Sequence, residues 1–503
     1  MLPAPATGRK NDFRTPLVKL ITGGELEGPT SPRQSEMTER HERDAWGERL
    51  PRHLGLWSTI AVLVGSVIGS GIFRVPATVA DRLGAPEPVL LAWALGGVIA
   101  LCGALTVAEL AAALPRSGGI FAYILESFGP LPAFLFGWAE LTVIRASALG
   151  AISTIFAEYL GYFLDFTPQQ VRWVAAGAIV LVAFFNYVGV NFASLVINMT
   201  TVAKYAALVG LAGLAFLLGD GSAANFTEAG GAAGVAGAVA PTVGISLIAT
   251  ALVSIMWSYD GWADLSFIGG EVKEPGRNLP RALIIGTTAI VIVYLTINAA
   301  YLYLVPVNEM RGSRLIAATA AERIPLLGAA GGAIVSIMVM ISTFGTLNGS
   351  MLTGPRVFFA MADRGLFFQA IARVSPRFRT PSTAIWLAAT LGVIYVLQND
   401  FQQLADRFVL GIWPFYALAV AGVFVLRRTR PELERPYRAV GYPVIPALFL
   451  VGSVGMVLNA LITDTANTWV TFAIILAGIP VYLIWRAVTS RSRAAAEAES
   501  SLT

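Results

Sequence analysis

The chain has 503 residues, of which 56% are apolar and only 13% are charged, and its formal net charge is +4. A soluble globular chain carries about 25% charged residues, so this composition argues against a soluble enzyme and excludes a disordered chain. The single cysteine excludes an intrachain disulfide scaffold, and the two histidines, His41 and His53, precede the first apolar segment, which excludes a zinc protein and histidine catalysis within the apolar body. Because a spanning helix needs about 20 mostly apolar residues, the composition predicts a helical membrane protein with many spans.

The first 53 residues differ from the rest of the chain. They are rich in Pro, Gly, Arg and Glu and contain no apolar run longer than four residues. This composition fits neither a secretory signal nor a transit peptide, and it predicts a mostly disordered tail at 1–53. A second, short tail follows the last apolar segment, at 488–503.

Between the tails, the apolar pattern predicts twelve membrane spans and an all-α integral membrane fold. Their approximate limits are 55–80, 88–114, 131–160, 171–189, 192–218, 241–269, 281–305, 326–361, 382–398, 404–427, 441–462 and 467–487. Several of these spans are long enough that they must tilt, bend or protrude from the bilayer.

The distribution of Lys and Arg predicts the orientation of the chain. With both tails placed in the cytoplasm, the cytoplasmic segments hold 26 of these residues and the opposite side holds 6. Long tails weigh little in the positive-inside rule, and without the N-terminal tail the bias is still 17 to 6. We therefore expect a multi-pass protein of the cell membrane with both termini in the cytoplasm. The excess of basic over acidic residues is explained by this asymmetry and not by a surface that binds nucleic acid.

Two of the spans are interrupted by residues that disfavour a continuous helix. Span 1 reads Gly65-Ser66-Val67-Ile68-Gly69-Ser70-Gly71 at mid-depth, and each glycine costs about 1 kcal/mol in a helix interior. Span 6 places Ser258-Tyr259-Asp260-Gly261 in the middle of an apolar run, and a charge at membrane depth usually faces a cavity. Close helix packing through small residues is the alternative explanation for the glycines.

The spacing of the two interruptions predicts an inverted repeat. Asp260 lies 190 residues after Ser70, and five spans separate the starts of the two interrupted helices. An odd-numbered repeat inserts its second copy upside down, as in transporters whose sites lie at broken helices near the midplane. Freed N–H groups and the half-helix dipole attract an anion, whereas freed carbonyls attract an ammonium group. An α-amino acid carries both groups on one carbon and is the ligand that this arrangement favours.

A set of short motifs runs along roughly residues 55 to 440. It consists of Gly65-Ser66-Val67-Ile68-Gly69-Ser70-Gly71-Ile72-Phe73, Ala108-Glu109-Leu110, Pro115-Arg116-Ser117-Gly118-Gly119, Glu140-Leu141, Ile144-Arg145, Tyr259-Asp260-Gly261-Trp262, Glu271-Val272-Lys273-Glu274-Pro275, Asn278-Leu279-Pro280-Arg281-Ala282, Phe344-Gly345-Thr346-Leu347-Asn348-Gly349-Ser350 and Arg430-Pro431-Glu432-Leu433-Glu434-Arg435-Pro436. Together these motifs resemble the amino acid–polyamine–organocation (APC) transporter superfamily, most closely its L-type amino acid transporter branch. The resemblance implies a ten-helix inverted-repeat core at 54–427, with repeats at about 55–218 and 241–427, and two added helices at 428–487.

The resemblance also implies a substrate site at the two interruptions. The expected site consists of Val67, Gly69, Ser70, Gly71, Trp257, Ser258, Asp260 and Gly261. In the family, backbone N–H groups at 69–71 bind the substrate carboxylate, and carbonyls near 67, 257 and 260 bind the ammonium. Trp257 stands where relatives most often have a Phe gate, a departure that narrows the side-chain pocket. Aspartate at position 260 occurs in relatives that look able to take cationic substrates.

Lys204 is the only lysine of the membrane body. Relatives place a lysine in span 5 where sodium-coupled members of the fold hold an ion, so the resemblance implies that Lys204 replaces sodium and can carry a proton. A lysine that snorkels or pairs structurally is the alternative.

Partners follow from the same resemblance. The loop at 161–171 lacks the cysteine by which mammalian members link to a heavy chain, so a stand-alone chain in the lipid bilayer is expected. The single cysteine, Cys102, is expected to be inert packing in span 2. We expect no cofactor and no metal.

Three other charged residues near or within the spans are given separate expectations. Glu109 lies near the cytoplasmic end of span 2 and is expected to shape a loop, and Arg145 in span 3 is expected to pair with a neighbour. Arg74 directly follows the interruption of span 1 and is placed at the outer vestibule.

The leading functional prediction is a sodium-independent secondary transporter or exchanger of L-amino acids, with proton coupling left open. A polyamine or cation transporter and an amino acid sensor that does not transport are the alternatives. A membrane enzyme would need nucleophiles and histidines clustered at one depth, and the spans contain no histidine.

Overall fold

The computed structural model of the chain describes residues 52–115, 118–189, 205, 208–227, 244–363, 367–378 and 380–488. Nearly all of both predicted tails, Lys204 and much of predicted span 5 lie outside these residues. The described chain is helical, and the extended pairing within it is one isolated parallel bridge, between Leu54 and Val272.

The described α-helices follow one another with short connections. They are α1 (Leu56–Val67), α2 (Val75–Leu83), α3 (Pro86–Ala113), α4 (Gly119–Phe128), α5 (Pro130–Ala139), α6 (Arg145–Leu164), α7 (Pro168–Val188), α8 (Leu208–Leu218), α9 (Ile245–Tyr259), α10 (Pro275–Leu304), α11 (Val307–Met310), α12 (Ile316–Glu322), α13 (Ala329–Asp363), α14 (Ser382–Gln398), α15 (Phe401–Thr429), α16 (Val444–Thr463) and α17 (Thr465–Leu476).

Eight helical segments of the described chain are long and apolar enough to cross a membrane. They are Pro86–Ala113, Pro130–Leu164, Pro168–Val188, Pro275–Leu304, Ala329–Pro355, Phe401–Thr429, Val444–Thr463 and Thr465–Val488. These segments coincide with predicted spans 2, 3, 4, 7, 8, 10, 11 and 12. Predicted spans 1, 6 and 9 appear as shorter helices, and span 5 is described only in part. The predicted all-helical, strongly apolar architecture is therefore confirmed.

The ends of these helices follow from local sequence. Pro86, Pro130, Pro168 and Pro275 each stand at the first position of a helix, where the missing N–H costs nothing and the fixed φ suits the helix. α15 begins with a capping box, in which the Asp400 carboxylate accepts from the Gln403 N–H at 2.9 Å. These local signals determine the residue at which each of these helices begins.

One helix was missed by the sequence analysis, which predicted no element at 115–130, between spans 2 and 3. α4 has ten residues, too few to span a bilayer, and buries Ile120, Phe121 and Tyr123. It packs on the segment after the second interruption, so closely that a Cβ at Gly119 would overlap Ser266 Oγ. Its apolar face therefore covers protein rather than lipid.

The chain just before α1 is bound to the chain just before α10. The backbone N–H groups of His53 and Leu54 donate to the Glu271 carbonyl at 2.9 and 3.0 Å, and Lys273 N–H donates to the Leu54 carbonyl at 2.9 Å. We call this part of the bundle the Leu54 end. These bonds hold the entry of the first interrupted helix beside the exit of the second.

A buried carboxylate secures the loop that follows α15. Glu109, only 1% exposed, accepts hydrogen bonds from the Arg427 guanidinium at 2.9 and 2.6 Å and from Ala439 N–H at 2.7 Å. Arg435 approaches the same carboxylate at 3.4 Å. The expectation that Glu109 shapes a loop is confirmed.

A second, partly buried ion pair links α2 to α9 and α15. The Arg82 guanidinium donates to Asp406 at 2.9 Å, to Ser254 Oγ at 2.9 Å and to the Thr250 carbonyl. Because one guanidinium group contacts residues of both helices, this contact holds α2, α9 and α15 together. We call this part of the bundle, which also contains Arg74, the Arg74 end.

Candidate functional site

The first interruption lies where the sequence predicted it. The Ile68 N–H makes the last α-helical bond of α1, to the Val64 carbonyl at 2.9 Å. A short 3₁₀ turn, Gly71–Phe73, follows before α2 begins at Val75. The chain therefore runs as two half-helices with an irregular segment between them.

The second interruption is a change of backbone direction at two residues. α9 ends at Tyr259, Asp260 is extended with φ −69° and ψ 158°, and Gly261 has φ +107°. A residue with a Cβ is strained at such a φ, which explains the glycine. A 3₁₀ helix, Trp262–Glu271, then replaces the α-helix.

The two interruptions pack directly against each other. A Cβ on Gly71 would lie 2.5 Å from Ser258 Oγ and 3.0 Å from Trp257 Cδ1, and a Cβ on Gly261 would lie 2.9 Å from the Ser66 carbonyl oxygen. The Tyr294 hydroxyl of α10 donates to the Val67 carbonyl at 3.0 Å and so holds the first interruption against α10. Each interruption therefore uses a glycine to let the other approach.

A cavity of about 640 Å³ opens beside this contact. Seven of the eight residues predicted for the substrate site line it, namely Val67, Gly69, Ser70, Gly71, Trp257, Asp260 and Gly261. Ser258 does not line it but is buried behind Gly71, and its hydroxyl has no hydrogen-bond partner within the described ranges. This volume is typical of a site for a small molecule.

The cavity wall carries more acid than base. The Asp260 carboxylate accepts a hydrogen bond from the Tyr416 hydroxyl at 2.8 Å, and Asp264 is exposed into the cavity. Arg145 forms an ion pair with Glu140 and donates to Ser350 Oγ at 2.8 Å. The expectation that Arg145 pairs with a neighbour is confirmed. Because Arg145 is paired with Glu140, the carboxyl groups of Asp260 and Asp264 are the other ionisable groups of the cavity wall within the described residues.

The local geometry of α5 and α6 explains how Glu140 and Arg145 meet. Residues Glu140–Ile144 form a π-helical turn within the continuous helix Pro130–Leu164. A π turn adds one residue to the helical repeat and therefore brings positions five apart onto one face. Such turns are frequent at functional sites.

Aromatic and charged layers close the cavity toward the Arg74 end. The buried Trp257 ring packs edge-to-face on Phe408, with centroids 4.8 Å apart. Beyond it, Arg74 pairs with Glu158 at 3.0 Å and lies 5.3 Å from the centre of the Phe401 ring. A smaller cavity of about 220 Å³, also lined by Arg74 and Glu158, lies at this end.

Sequence reasoning missed the wall contributed by α13 and α15. Gly345, Thr346, Gly349, Ser350 and Thr353 line the cavity from α13. Their spacing of three to four residues places small and polar side chains on one face of an apolar helix, and this signal was present in the sequence. Phe408 of α15 carried no such signal, because one aromatic residue in an apolar span is ordinary.

Comparison with known proteins identifies the class to which this fold and cavity belong. Residues 54–485 match the family model described as amino acid permease. The chain belongs to this family, within the APC superfamily, as its motifs indicated. It is accordingly a membrane protein of a family of transporters, and the expectation that it is not an enzyme is confirmed by this membership.

Individual relatives cover most of the chain. It is 35% identical over 426 residues to the b(0,+)-type amino acid transporter 1 of Homo sapiens, covering 84% of each chain. It is 32% identical to the serine/threonine exchanger SteT of Bacillus subtilis (strain 168), covering 86% of this chain and 96% of SteT. It is 31% identical to the Homo sapiens cystine/glutamate transporter, covering 94% and 93% of the two chains.

The contact between the interruptions predicts a difference between two glycines. Gly71→Ala places a methyl group against Ser258 and Trp257, and overpacking of this kind costs about 1–3 kcal/mol. We expect amino acid uptake to fall about tenfold or more, measured per molecule inserted in the membrane. Gly177→Ala is the matched control, since a Cβ at this position of α7 would meet nothing within 4 Å and the residue does not line the cavity. Equal uptake by the two variants would show that the contact at Gly71 does not matter for transport.

Proposed function

We propose that this protein is a secondary active transporter or exchanger of L-amino acids that works by alternating access. The observation that supports the proposal most strongly is the pair of interrupted helices that pack against each other and together line one cavity. Family membership supports the same substrate class, since the relatives named above are amino acid transporters and exchangers.

The proposed substrate pose uses both half-helix ends. The 3₁₀ turn at Gly71 and the start of α2 place the positive end of a helix dipole at the first interruption, which favours the carboxylate. The last carbonyls of α1 and α9, near Val67 and Trp257, provide the negative ends that favour the ammonium. Because both groups are attached to the α-carbon of the substrate, one amino acid can bind both sets of backbone groups at the same time.

The aspartates suggest which side chains are accepted. The carboxyl groups of Asp260 and Asp264 in the cavity wall can each pair with a cation, so amino acids with a cationic side chain are favoured over acidic ones. The same two groups support the runner-up function, transport of a polyamine or another organic cation. A polyamine has no carboxylate, however, so the positive end of the helix dipole at the first interruption would have no anion to bind.

We infer that the described conformation faces the cytoplasm. The cavity extends past Ala61 on α1 and Asp264 after the second interruption, both of which lead toward the Leu54 end. That end is cytoplasmic if both termini are, as the positive-inside bias indicates. The Trp257–Phe408 layer and the Arg74–Glu158 pair then form the outer barrier, which would part when the site opens outward.

The wider architecture is part of the proposal. Twelve spans in the cell membrane, with a five-plus-five inverted repeat, are supported by the eight long apolar segments and the two interruptions. A stand-alone chain, without a disulfide-linked heavy chain, is supported by the buried state of the single cysteine, Cys102.

Counterflow in proteoliposomes tests the proposed function. Vesicles loaded with one unlabelled compound are given labelled amino acids from a panel of neutral, cationic and acidic members, with putrescine as the polyamine. We expect accumulation of labelled L-amino acids and none of putrescine. Accumulation of putrescine alone would establish the runner-up, and binding without accumulation would establish a sensor.

The role of Asp260 is tested by a pair of substitutions. Asp260→Asn keeps the shape and the hydrogen bond from Tyr416 but removes the charge, whereas Tyr416→Phe keeps the charge and removes that hydrogen bond. A charge-assisted hydrogen bond contributes about 1.5–3 kcal/mol, so Asp260→Asn should lower cationic relative to neutral uptake about tenfold or more. Tyr416→Phe should leave that ratio unchanged. An equal loss of both substrates in Asp260→Asn would assign Asp260 to the helix break instead.

Sodium independence rests on Lys204, which lies outside the described residues. If its ammonium occupies the place of a sodium ion near Ser342 and Thr343, uptake should be unchanged when choline replaces sodium. Lys204→Met should remove any dependence of uptake on pH, because the titrating group is gone. Sodium-stimulated uptake by the unmodified protein would contradict this role.

A further inference from the structure

A second cavity, of about 500 Å³, lies at the start of α10, apart from the substrate site. Its charged wall consists of Glu274, Arg277 and Arg281. Glu274 and Arg277 approach each other at 3.5 Å, but their side chains are 70% and 63% exposed, so water weakens the pair. With two arginines and one carboxylate, the cavity carries a net positive charge.

The rest of the cavity wall is apolar. Pro280 and Ile284 line it from α10, and Pro436 and Tyr437 line it from the loop after α15. That loop is seated closely, since a Cβ on Gly276 would lie 2.9 Å from Pro436. The cavity thus joins two guanidinium groups to apolar surface at the membrane entry of a 30-residue helix.

The face of α10 that carries the arginines continues as an apolar stripe. Arg277, Arg281 and Ile285 are spaced by four residues, and Ile292 follows two turns later, so all lie on one side of the helix. Ile285 and Ile292 are 44% and 60% exposed. From Arg281 to Ile292 the helix rises about 16 Å, close to half of the bilayer's hydrocarbon thickness of about 30 Å.

We propose that this surface binds one anionic phospholipid. Its phosphate lies between the guanidinium groups of Arg277 and Arg281, and one acyl chain lies along Ile285 and Ile292. Along α10 the two arginines are followed by exposed isoleucines, which is the order of headgroup and acyl chain in a phospholipid. Basic cavities at the membrane surface are suited to anionic headgroups. A soluble phosphate would satisfy the arginines but would leave the isoleucine stripe unused.

Native mass spectrometry of the purified full-length chain tests the proposal. The protein is titrated with phosphatidylglycerol or with phosphatidylcholine of the same acyl chains. We expect tighter retention of one phosphatidylglycerol, and loss of that preference by about tenfold in Arg277→Gln/Arg281→Gln. Arg428→Gln/Arg486→Gln is the matched control, because it removes two exposed arginines elsewhere at helix ends and should keep the preference.

A second pair of variants separates a lipid from a soluble anion. Ile285→Ser/Ile292→Ser should weaken retention of both lipids. In a separate measurement on the unmodified protein, phosphatidylglycerol should raise the midpoint temperature of thermal unfolding, and inorganic phosphate should not. The proposal is overturned if Arg277→Gln/Arg281→Gln keeps its preference for phosphatidylglycerol. It is also overturned if inorganic phosphate stabilises the protein as much as the lipid does, since the site would then recognise a free anion.

Discussion

The close approach of two backbone interruptions is the contact on which the rest of the site depends. Gly71 leaves room for Ser258 and Trp257, and Gly261 leaves room for the backbone at Ser66. In a bilayer, irregular backbone is tolerated only where it is buried in protein or lines a cavity, because unpaired N–H and C=O groups cannot be solvated by lipid. Each interruption therefore shields backbone groups of the other from lipid. The cavity beside them accommodates the backbone groups that stay unpaired.

The charges of the bundle are arranged around this contact. Ion pairs secure the bundle at a distance from it: Arg82–Asp406 holds α2 at the Arg74 end, and Glu109–Arg427 holds the loop after α15. Next to the contact, Arg145 pairs with Glu140, and Asp260 and Asp264 contribute two further carboxyl groups to the cavity wall. The ion pairs away from the cavity are structural, whereas these two carboxyl groups line the space that a substrate would occupy.

Much of this architecture could be predicted from the sequence, because both membrane spans and their interruptions are local patterns. Apolar length predicted the long helices, and glycine, serine and aspartate at mid-depth predicted the breaks at 68–74 and 260–261. The seven predicted residues that line the cavity lie within these two breaks or at most three residues from them.

The remaining features depend on contacts between distant segments, which local patterns do not report. α4 was missed because its ten residues are too short for a span and its apolar face is covered by the segment around Ser266. The α13 wall and Phe408 belong to the cavity only because the bundle places them opposite α1. The ion pair between Glu140 and Arg145 needed the π turn, whose extra residue is not evident in the apolar pattern.

The account's central claim is that the paired interruptions recognise the carboxylate and the ammonium of one amino acid together. The most direct test measures competition in counterflow by three compounds with the same side chain: the preferred amino acid, its amine without the carboxylate, and its 2-hydroxy acid without the ammonium. The account predicts strong inhibition by the amino acid and inhibition weaker by at least about tenfold for each analogue, since each loses a charge-assisted contact. Inhibition by either analogue as strong as that by the amino acid would contradict it, because one interruption would then contribute nothing to recognition.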